Sequence, residues 1–479
     1  MTTNVVNTLS IAMSNGNKRY FKEILEEMVE NHKDIQDDHG YNVFHMIAKG
    51  PINEAGLLEF LSLLNTMMGL KFSKDYAKNF INSKDKRENN LLPLHLAITK
   101  GKSKIAIEFI KLGADPLEKD AYGKNALHLA ASFGTLSLLC FLVQDLSMDI
   151  NSQDELGNTP LHLSILERRE EMGLLILTLT SSINQQNASG DTPLHLSIST
   201  GNYRISKHLL YKKAQKHIKN LSNQTPSTIC QLKDLKSLLR KRLTKKSFKY
   251  FLLIFIALII QSGSLLSIEL QNPPKIYRLT LSSSGVFILS LSFFIYLTCK
   301  NPGYENTSPM PLKELYEKYN PEFVCPYCSL KKHKGTRHCI VCNKCVRDLD
   351  HHCKWINNCV GKSNEKAFMA MLIWMMFQSS ASTFFGCWLI YKSWFEDHLR
   401  SYEIIFSFIS FSIFIIVVPV TVRTIRNAYK RKKLLKLIST KPQTKAINVD
   451  ESSDTESMLL YQRSDSFNTF TNSRKNSAA

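Results

Sequence analysis

The 479-residue sequence lacks, at its start, the positively charged stretch and apolar core that are typical of a signal peptide. We therefore expect no cleavable signal peptide. Acidic residues are scarce beside basic ones, 41 against 61, and the net charge of +20 favours an anionic partner or a membrane surface. Disorder throughout is excluded, since 44% of the residues are hydrophobic and 21% are charged. A chain of this length predicts two or three domains.

Four apolar stretches of 19 to 25 residues are each long enough to cross a bilayer as a helix. They are residues 250–268, 279–299, 367–391 and 404–422. Basic residues crowd the segments 236–249 and 423–437 but not the two short connections, so we expect both termini and the segment 300–366 in the cytosol. Buried core helices are the alternative, although nearly charge-free runs of this length are rare in soluble domains.

A related segment recurs before residue 235. Its histidine is at His45, His95, His128, His162 and His195, and the last three intervals are 33, 34 and 33 residues. The first interval, 50 residues, implies an insertion, and NQTPSTIC at residues 223–230 has the features of a degraded sixth unit. Residues 1–235 resemble an ankyrin-repeat domain of about six to seven units with degenerate ends.

The local chemistry of one unit suits a helix pair. Thr192 would cap a helix while Pro193 fills its first turn, where no N–H is required. The recurring histidine is interpreted as a structural hydrogen-bonding group, with metal binding as the alternative. Stacked units would bury apolar faces that one unit cannot hide. The concave face of such a stack is expected to recognise protein partners.

Seven of the 11 cysteines lie between Cys325 and Cys359, in CPYCSLKKHKGTRHCIVCNKCVRDLDHHCKWINNCVG. Cys-x2-Cys pairs form compact knuckles for tetrahedral zinc, and a reducing compartment favours metal over disulfides. Buried cysteines without metal are one alternative, which the polar surroundings disfavour. A RING-like ubiquitin-ligase module is another, but the spacing does not follow the usual alternation of that family.

The pattern C-x2-C-x9-H-C-x2-C-x2-C-x4-D-H-H-C-x5-C lies between the second and third apolar stretches. It resembles the DHHC protein S-acyltransferases, or palmitoyltransferases, and the repeats in front resemble their ankyrin-containing subgroup. This resemblance implies two structural zinc ions. One would bind Cys325, Cys328, His338 and Cys345, and the other Cys339, Cys342, His352 and Cys359. Cys353 is left over, as is His333, which we interpret as an exposed loop residue.

Cys353 beside His351 and Asp350 is an arrangement suited to nucleophilic catalysis. The Cys353 thiolate would attack, His351 would act as general base and Asp350 would orient the imidazole. The resemblance implies fatty acyl-CoA (palmitoyl-CoA) as donor and ping-pong transfer to cytosolic juxtamembrane cysteines of substrate proteins. It also suggests the Golgi or another endomembrane, and no nucleic-acid partner is expected.

Three departures from the family pattern bear on activity. Lys354 replaces the usual Pro, Asn301 replaces the acid of Asp-Pro-Gly, and residues 423–426 (RTIR) stand where the family has Thr-Thr-x-Glu. Asn364 and Phe368 match the family's N-x3-F. The tetrad and all eight implied ligands are intact, which favours an active enzyme. A catalytically inactive ankyrin-repeat membrane scaffold is the main alternative, and an ankyrin-bearing ion channel, which lacks an obvious pore loop here, is another.

The expected architecture is mainly α. An ankyrin solenoid (1–235) and a basic juxtamembrane linker (236–249) precede a four-helix transmembrane domain (250–299 and 367–422). A cytosolic zinc-binding insert at residues 300–366 separates its second and third spans. A basic segment (423–437) follows, and the tail at 438–479, rich in Ser, Thr, Asn and charge, is expected to be disordered.

Overall fold

The computed structural model describes residues 2–30, 41–71, 74–86, 91–240 and 277–395, with a few single positions between 411 and 426. These residues divide into two compact units. The first contains the described residues up to 240 together with 307–331, and the second contains residues 277–306 and those from 332 onward.

Helices dominate the first unit, where consecutive helices pack in pairs and each pair stacks on the next. They are α1 (Thr2–Ser14), α2 (Lys18–Glu30), α3 (Val43–Lys49), α4 (Glu54–Lys71), α5 (Lys74–Ile81), α6 (Pro93–Thr99), α7 (Ser103–Lys111), α8 (Ala126–Phe133), α9 (Leu136–Cys140), α10 (Pro160–Leu166), α11 (Glu170–Leu179), α12 (Pro193–Ser199), α13 (Tyr203–Tyr211), α14 (Pro226–Ile229) and α15 (Lys233–Arg240). Helix α9 continues as a π-helical turn, Phe141–Asp145.

Each recurring histidine joins its own helix to the next repeat. Helix α12 begins at Pro193, and the Thr192 side chain accepts a hydrogen bond from the backbone N–H of His195. In the His195 ring, Nδ1 is 2.8 Å from Thr192 Oγ1, and Nε2 is 3.2 Å from the carbonyl of Gln224 in the next repeat. The predicted cap and the structural role of the histidine are confirmed, and the first unit has the predicted ankyrin-repeat fold.

The implied insertion is visible as extra helix. Helix α4 is 18 residues long, whereas α7, the next helix in the same position of its repeat, has nine, and α5 follows as an additional helix. Residues 223–230, expected to be a degraded sixth repeat, contain α14, a four-residue helix capped by Thr225.

Residues 307–331 complete the first unit. They form α17 (Leu312–Lys318), a 3-10 turn (Pro321–Phe323) and the antiparallel pair β1 (Val324–Cys325) and β2 (Leu330–Lys331). Leu315 and Val324 are fully buried in the same apolar core as the repeats.

The second unit places two short hairpins beside two long helices. The helices are α16 (Tyr277–Cys299) and α18 (Glu365–Phe395), which pack on each other. The strands are β3 (Arg337–Cys339), β4 (Lys344–Val346), β5 (His351–Cys353) and β6 (Asn358–Val360), and they pair antiparallel as β3 with β4 and β5 with β6.

The predicted spans are only partly within the described residues. The stretch 279–299 lies in α16 and 367–391 lies in α18, whereas 250–268, almost all of 404–422 and the tail at 438–479 lie outside. Among the residues described, no helix combines the length and the apolarity that crossing a membrane requires.

The buried His162 predicts an acid-sensitive first unit. Burial lowers the pKa of His162 from 6.5 to about 4. The His162 ring is therefore protonated at a lower pH in the folded protein than in the unfolded chain. The stability linked to His162 is therefore full above pH 6.5 and is lost progressively towards pH 4, by up to about 3 kcal/mol.

Hydrogen exchange of α10 and α12 in the full chain, corrected for intrinsic rates, measures this loss. The His162→Gln variant lacks the titrating ring. The free energy of opening should therefore fall less steeply between pH 6.5 and 4 in this variant than in the wild type. Parallel pH profiles for the two proteins would show that His162 is not linked to folding.

Candidate active site and metal centres

Hairpin β5–β6 brings together the second implied ligand set. His352 and Cys359 are directly opposite each other in its register. The ligand atoms of these two residues and of Cys339 and Cys342 all lie within 4.8 Å of one another. Cys342 Sγ is 3.3 Å from His352 Nδ1 and 3.5 Å from Cys359 Sγ. Four donors thus converge on one point, as a tetrahedral site requires.

The first implied set converges in the same way. His338 and Cys345 are opposite each other in hairpin β3–β4, with Cys345 Sγ 3.9 Å from His338 Nδ1. Their ligand atoms and those of Cys325 and Cys328 all lie within 4.8 Å of one another.

Strand geometry explains why the two sets interleave along the sequence. Successive side chains of a β-strand point to opposite faces. His338 and Cys339 are neighbours in β3, so they face opposite sides and belong to different groups. Spacing alone does not reveal this, because it requires knowing that residues 337–339 are extended.

Both groups have the chemistry of zinc sites, since each offers three sulfurs and one imidazole nitrogen. Hydrogen bonds from Cys342 and Cys359 lower the pKa of the Cys339 thiol, while the same contact with Cys339 raises the pKa of Cys359. These thiols compete for negative charge, because anionic sulfurs this close repel each other, and a bound cation would remove that competition.

The remaining cysteine of the segment points away from the metal groups. Cys353 and His351 are two residues apart in β5, so they share the face opposite His352. His351 Nδ1 is 3.0 Å from the Asp350 carboxylate, and the ring also hydrogen-bonds the Cys353 thiol. The structure therefore brings together the three residues expected to form the reactive group.

The environment of His351 and Cys353 favours a positive charge on the imidazole and a negative charge on the sulfur. Burial opposes the charged form of His351, but hydrogen bonds to Asp350 and Cys353 outweigh it and raise the His351 pKa to about 9. Burial likewise opposes the Cys353 thiolate, yet the hydrogen bond and charge of His351 prevail and the Cys353 pKa is lowered. Near neutral pH both shifts favour an imidazolium beside a thiolate.

Apolar side chains surround the reactive sulfur. Cys353 is 3% exposed and packs in a cluster with residues from α16 and α18, among them Phe294 and Met371. The rings of Phe368 and His351 meet at a steep angle, 70°, with their centres 5.8 Å apart. An apolar cavity adjoins this cluster. It is lined by Ser290, Phe294, Trp355, Ile356, Met371, Trp374 and Met375.

Comparison with known proteins identifies the segment. Residues 318–432 match the family model of DHHC palmitoyltransferases, and residues 61–154 and 140–220 match ankyrin repeats. One part of the chain is thus similar to ankyrin repeats, and another is similar to the DHHC palmitoyltransferases.

Three palmitoyltransferases illustrate the similarity. ZDHHC4 of Bos taurus is 36% identical over 92 residues, 18% of this chain and 27% of that protein. ZDHHC17 of Rattus norvegicus is 40% identical over 67 residues, 14% of this chain and 10% of that protein. ZDHHC3-A of Danio rerio is 33% identical over 132 residues, 27% of this chain and 39% of that protein. The chain thus spans well under half the length of these curated relatives.

Among solved structures, the ankyrin repeat domain of Bcl-3, a member of the IkappaB protein family, aligns with this chain. The alignment covers 49% of this chain and 97% of that one, at 18% identity and a TM-score of 0.38.

Two of the departures from the DHHC pattern have a visible environment. Asn301 Oδ1 accepts hydrogen bonds from the backbone N–H groups of Gly303 and Tyr304, both at 2.9 Å, so the amide forms the turn that a carboxylate would also form. Lys354 is exposed. Arg423 and Thr424 lie outside the described residues.

Asparagines hold the Cys353 hairpin in place. Asn358, opposite Cys353 in the register, donates through Nδ2 to the carbonyls of Leu297, Thr298 and Lys300 at 3.0, 3.2 and 2.8 Å. It thereby caps the end of α16. Sequence reasoning assigned Asn358 no role, although it directly precedes the implied metal ligand Cys359.

The matched Asn364 holds the turn that follows β6. Its Oδ1 accepts from the N–H of Gly361 at 2.9 Å, and its Nδ2 donates to the carbonyl of Cys359 at 2.8 Å. The chain therefore leaves the metal ligand in a fixed direction before α18 begins.

Sequence reasoning also missed Glu305, which no motif marks. Its buried carboxylate accepts from Arg347 at 2.7 Å and Thr336 at 3.1 Å. Burial would raise the Glu305 pKa, but these hydrogen bonds prevail and lower it. His333, expected to be an exposed loop residue, has a side chain 61% exposed and places Nδ1 2.9 Å from Glu305.

The geometry predicts that replacing Cys353 leaves the zinc content of the protein unchanged, whereas replacing any of the other six cysteines of the segment lowers it. Cys359→Ser should lose about one of two zinc ions per chain, because it removes a sulfur ligand from one group. Cys353→Ser should keep both. Elemental analysis of the purified full chain measures the ratio. Zinc loss in Cys353→Ser, or less than about one zinc in the wild type, would contradict the assignment.

Proposed function

We propose that the protein is a membrane S-acyltransferase that moves a palmitoyl group from acyl-CoA to cysteine thiols of substrate proteins. The acyl group would be held as a thioester on Cys353. The observation that carries this proposal is the position of Cys353, outside both metal groups and hydrogen-bonded to His351. The DHHC domain match supports the same reaction.

In the first step the Cys353 thiolate attacks the carbonyl carbon of the acyl-CoA thioester. A new sulfur–carbon bond forms, the bond to the CoA sulfur breaks, and His351 returns the proton to the departing thiol. Asp350 keeps the imidazole oriented and stabilises its charged form. His351 thus acts as the general base, and it has already taken the proton of Cys353 before the substrate binds.

In the second step a substrate cysteine gives its proton to His351 and attacks the thioester on Cys353. The acyl group passes to the substrate, and Cys353 leaves as a thiolate beside the imidazolium. The pair is then in its starting state, which makes the scheme ping-pong. Exclusion of water by the surrounding cluster would protect the intermediate from hydrolysis.

The acyl chain would lie in the apolar space between α16 and α18, where the cavity adjoins the Cys353 cluster. The two metal groups would bind structural zinc. Each zinc would have four protein ligands, leaving no position for water, so its contribution is to stabilise the hairpins.

The four apolar stretches would anchor the enzyme as a multi-pass membrane protein, in the Golgi or another endomembrane. Charge placement supports cytosolic termini and a cytosolic DHHC segment. The ankyrin repeats would recruit protein partners, including substrates with cytosolic juxtamembrane cysteines.

Labelled palmitoyl-CoA tests the chemistry directly. The wild type should take up hydroxylamine-sensitive label, Cys353→Ser should take up none, and His351→Ala should be about 100-fold slower or worse because it loses its base. The exposed cysteine variant Cys387→Ser is the matched control and should be labelled like the wild type.

Two outcomes would reject the enzyme. Absence of label on the wild type would leave the inactive membrane scaffold as the better account. Equal labelling of wild type and Cys353→Ser would place the reactive thiol elsewhere.

Topology is tested in sealed microsomes. Epitope tags at both termini should be digested by added protease without detergent, whereas a glycosylation site inserted within residues 269–278 should be glycosylated. A protected terminus, or release of the protein by alkaline carbonate, would contradict four spans with cytosolic ends.

A further inference from the structure

Residues 307–331 are packed into the first unit with the ankyrin repeats, although in sequence they lie far from the repeats and carry the metal ligands Cys325 and Cys328. Helix α17 contacts α9, and its Leu312, Leu315 and Tyr316 are buried in the apolar core that the repeats share. Val324, one residue before the ligand Cys325, is fully buried in the same core. This segment therefore has no separate core of its own.

Polar contacts fix the position of the segment on two separate repeats. The rings of Tyr327 and His208 stack at 5.1 Å, and the Tyr327 hydroxyl is 2.7 Å from His208 Nδ1. Tyr327 lies between Cys325 and Cys328, so this bond holds the loop that carries both ligands.

The second contact uses an irregular helix. Lys313 Nζ is 2.6 Å from the Asp145 carboxylate and lies 4.7 Å from the centre of the Phe141 ring. Both partners belong to the π-helical turn that ends α9. Such turns are rare in helices and often occur at functional sites. Here the turn presents a carboxylate and an aromatic face to the same lysine.

We propose that α9 and α13, each the second helix of its repeat, form a docking surface for residues 307–331 of the same chain. Docking would hold Cys325 and Cys328 ready for metal, so the repeats would be a structural support of the DHHC segment as well as a site for partners. This proposal does not depend on acyl transfer, and its test uses association and metal retention.

The test uses the full chain with a site for a specific protease inserted at residues 241–249. After cleavage, the wild-type N-terminal fragment should stay with the remainder on size-exclusion chromatography, because docking through 307–331 persists. Leu315→Asp should release the fragment. Leu117→Asp, at a position 62% exposed within the repeats, is the matched control and should not release it. Departure of the wild-type fragment would overturn the proposal.

A charge-reversal pair tests the contact without disturbing the core. Asp145→Lys and Lys313→Asp should each speed dissociation of the cleaved fragment roughly two- to five-fold, as expected for a partly exposed ion pair. The double variant should dissociate more slowly than either single variant, because it restores the ion pair, although it still lacks the contact of Lys313 with the Phe141 ring. Additive loss in the double variant would contradict a direct contact.

Metal retention tests the supporting role. In uncleaved protein challenged with a chelator, Leu315→Asp should lose about one zinc several-fold faster than the wild type, while Leu117→Asp should match the wild type. Equal zinc loss in all three proteins would show that the repeats do not support the ligand loop.

Discussion

The alternation of side chains along strand β5 is the constraint on which the site depends. Three consecutive residues, His351, His352 and Cys353, point to opposite faces in turn. The middle residue joins a metal group, and its neighbours form the reactive pair on the other face. A shift of one residue in the pairing with β6 would exchange these roles. Metal and nucleophile are thus kept apart by backbone geometry.

The surroundings of the hairpin stabilise that register. Asn358 ties the strand opposite Cys353 to the end of α16, and Asn364 fixes the turn that follows Cys359. The charged forms of His351 and Cys353 are stabilised by their mutual hydrogen bond and opposite charges, together with the hydrogen bond from His351 to Asp350, and these interactions outweigh the burial that opposes each charge. Register and electrostatics therefore support the same arrangement of Cys353 and His351.

Sequence reasoning anticipated features that are local in the chain. The Thr192 cap, the hydrogen-bonding role of His195 and the insertion before His95 follow from spacing and composition, and the structure has all three. The pairing of Asn358 with α16, the Glu305 contacts and the position of Tyr327 against His208 depend on which distant segments meet. No periodicity encodes those contacts, so only the structure supplied them.

X-ray absorption at the zinc edge of the purified full chain tests the central claim most directly. We predict an average of three sulfurs at about 2.3 Å and one nitrogen at about 2.0–2.1 Å per zinc, identical in the wild type and in Cys353→Ser. A drop in sulfur coordination on replacing Cys353 would place that thiol on the metal and contradict the separation of the two faces.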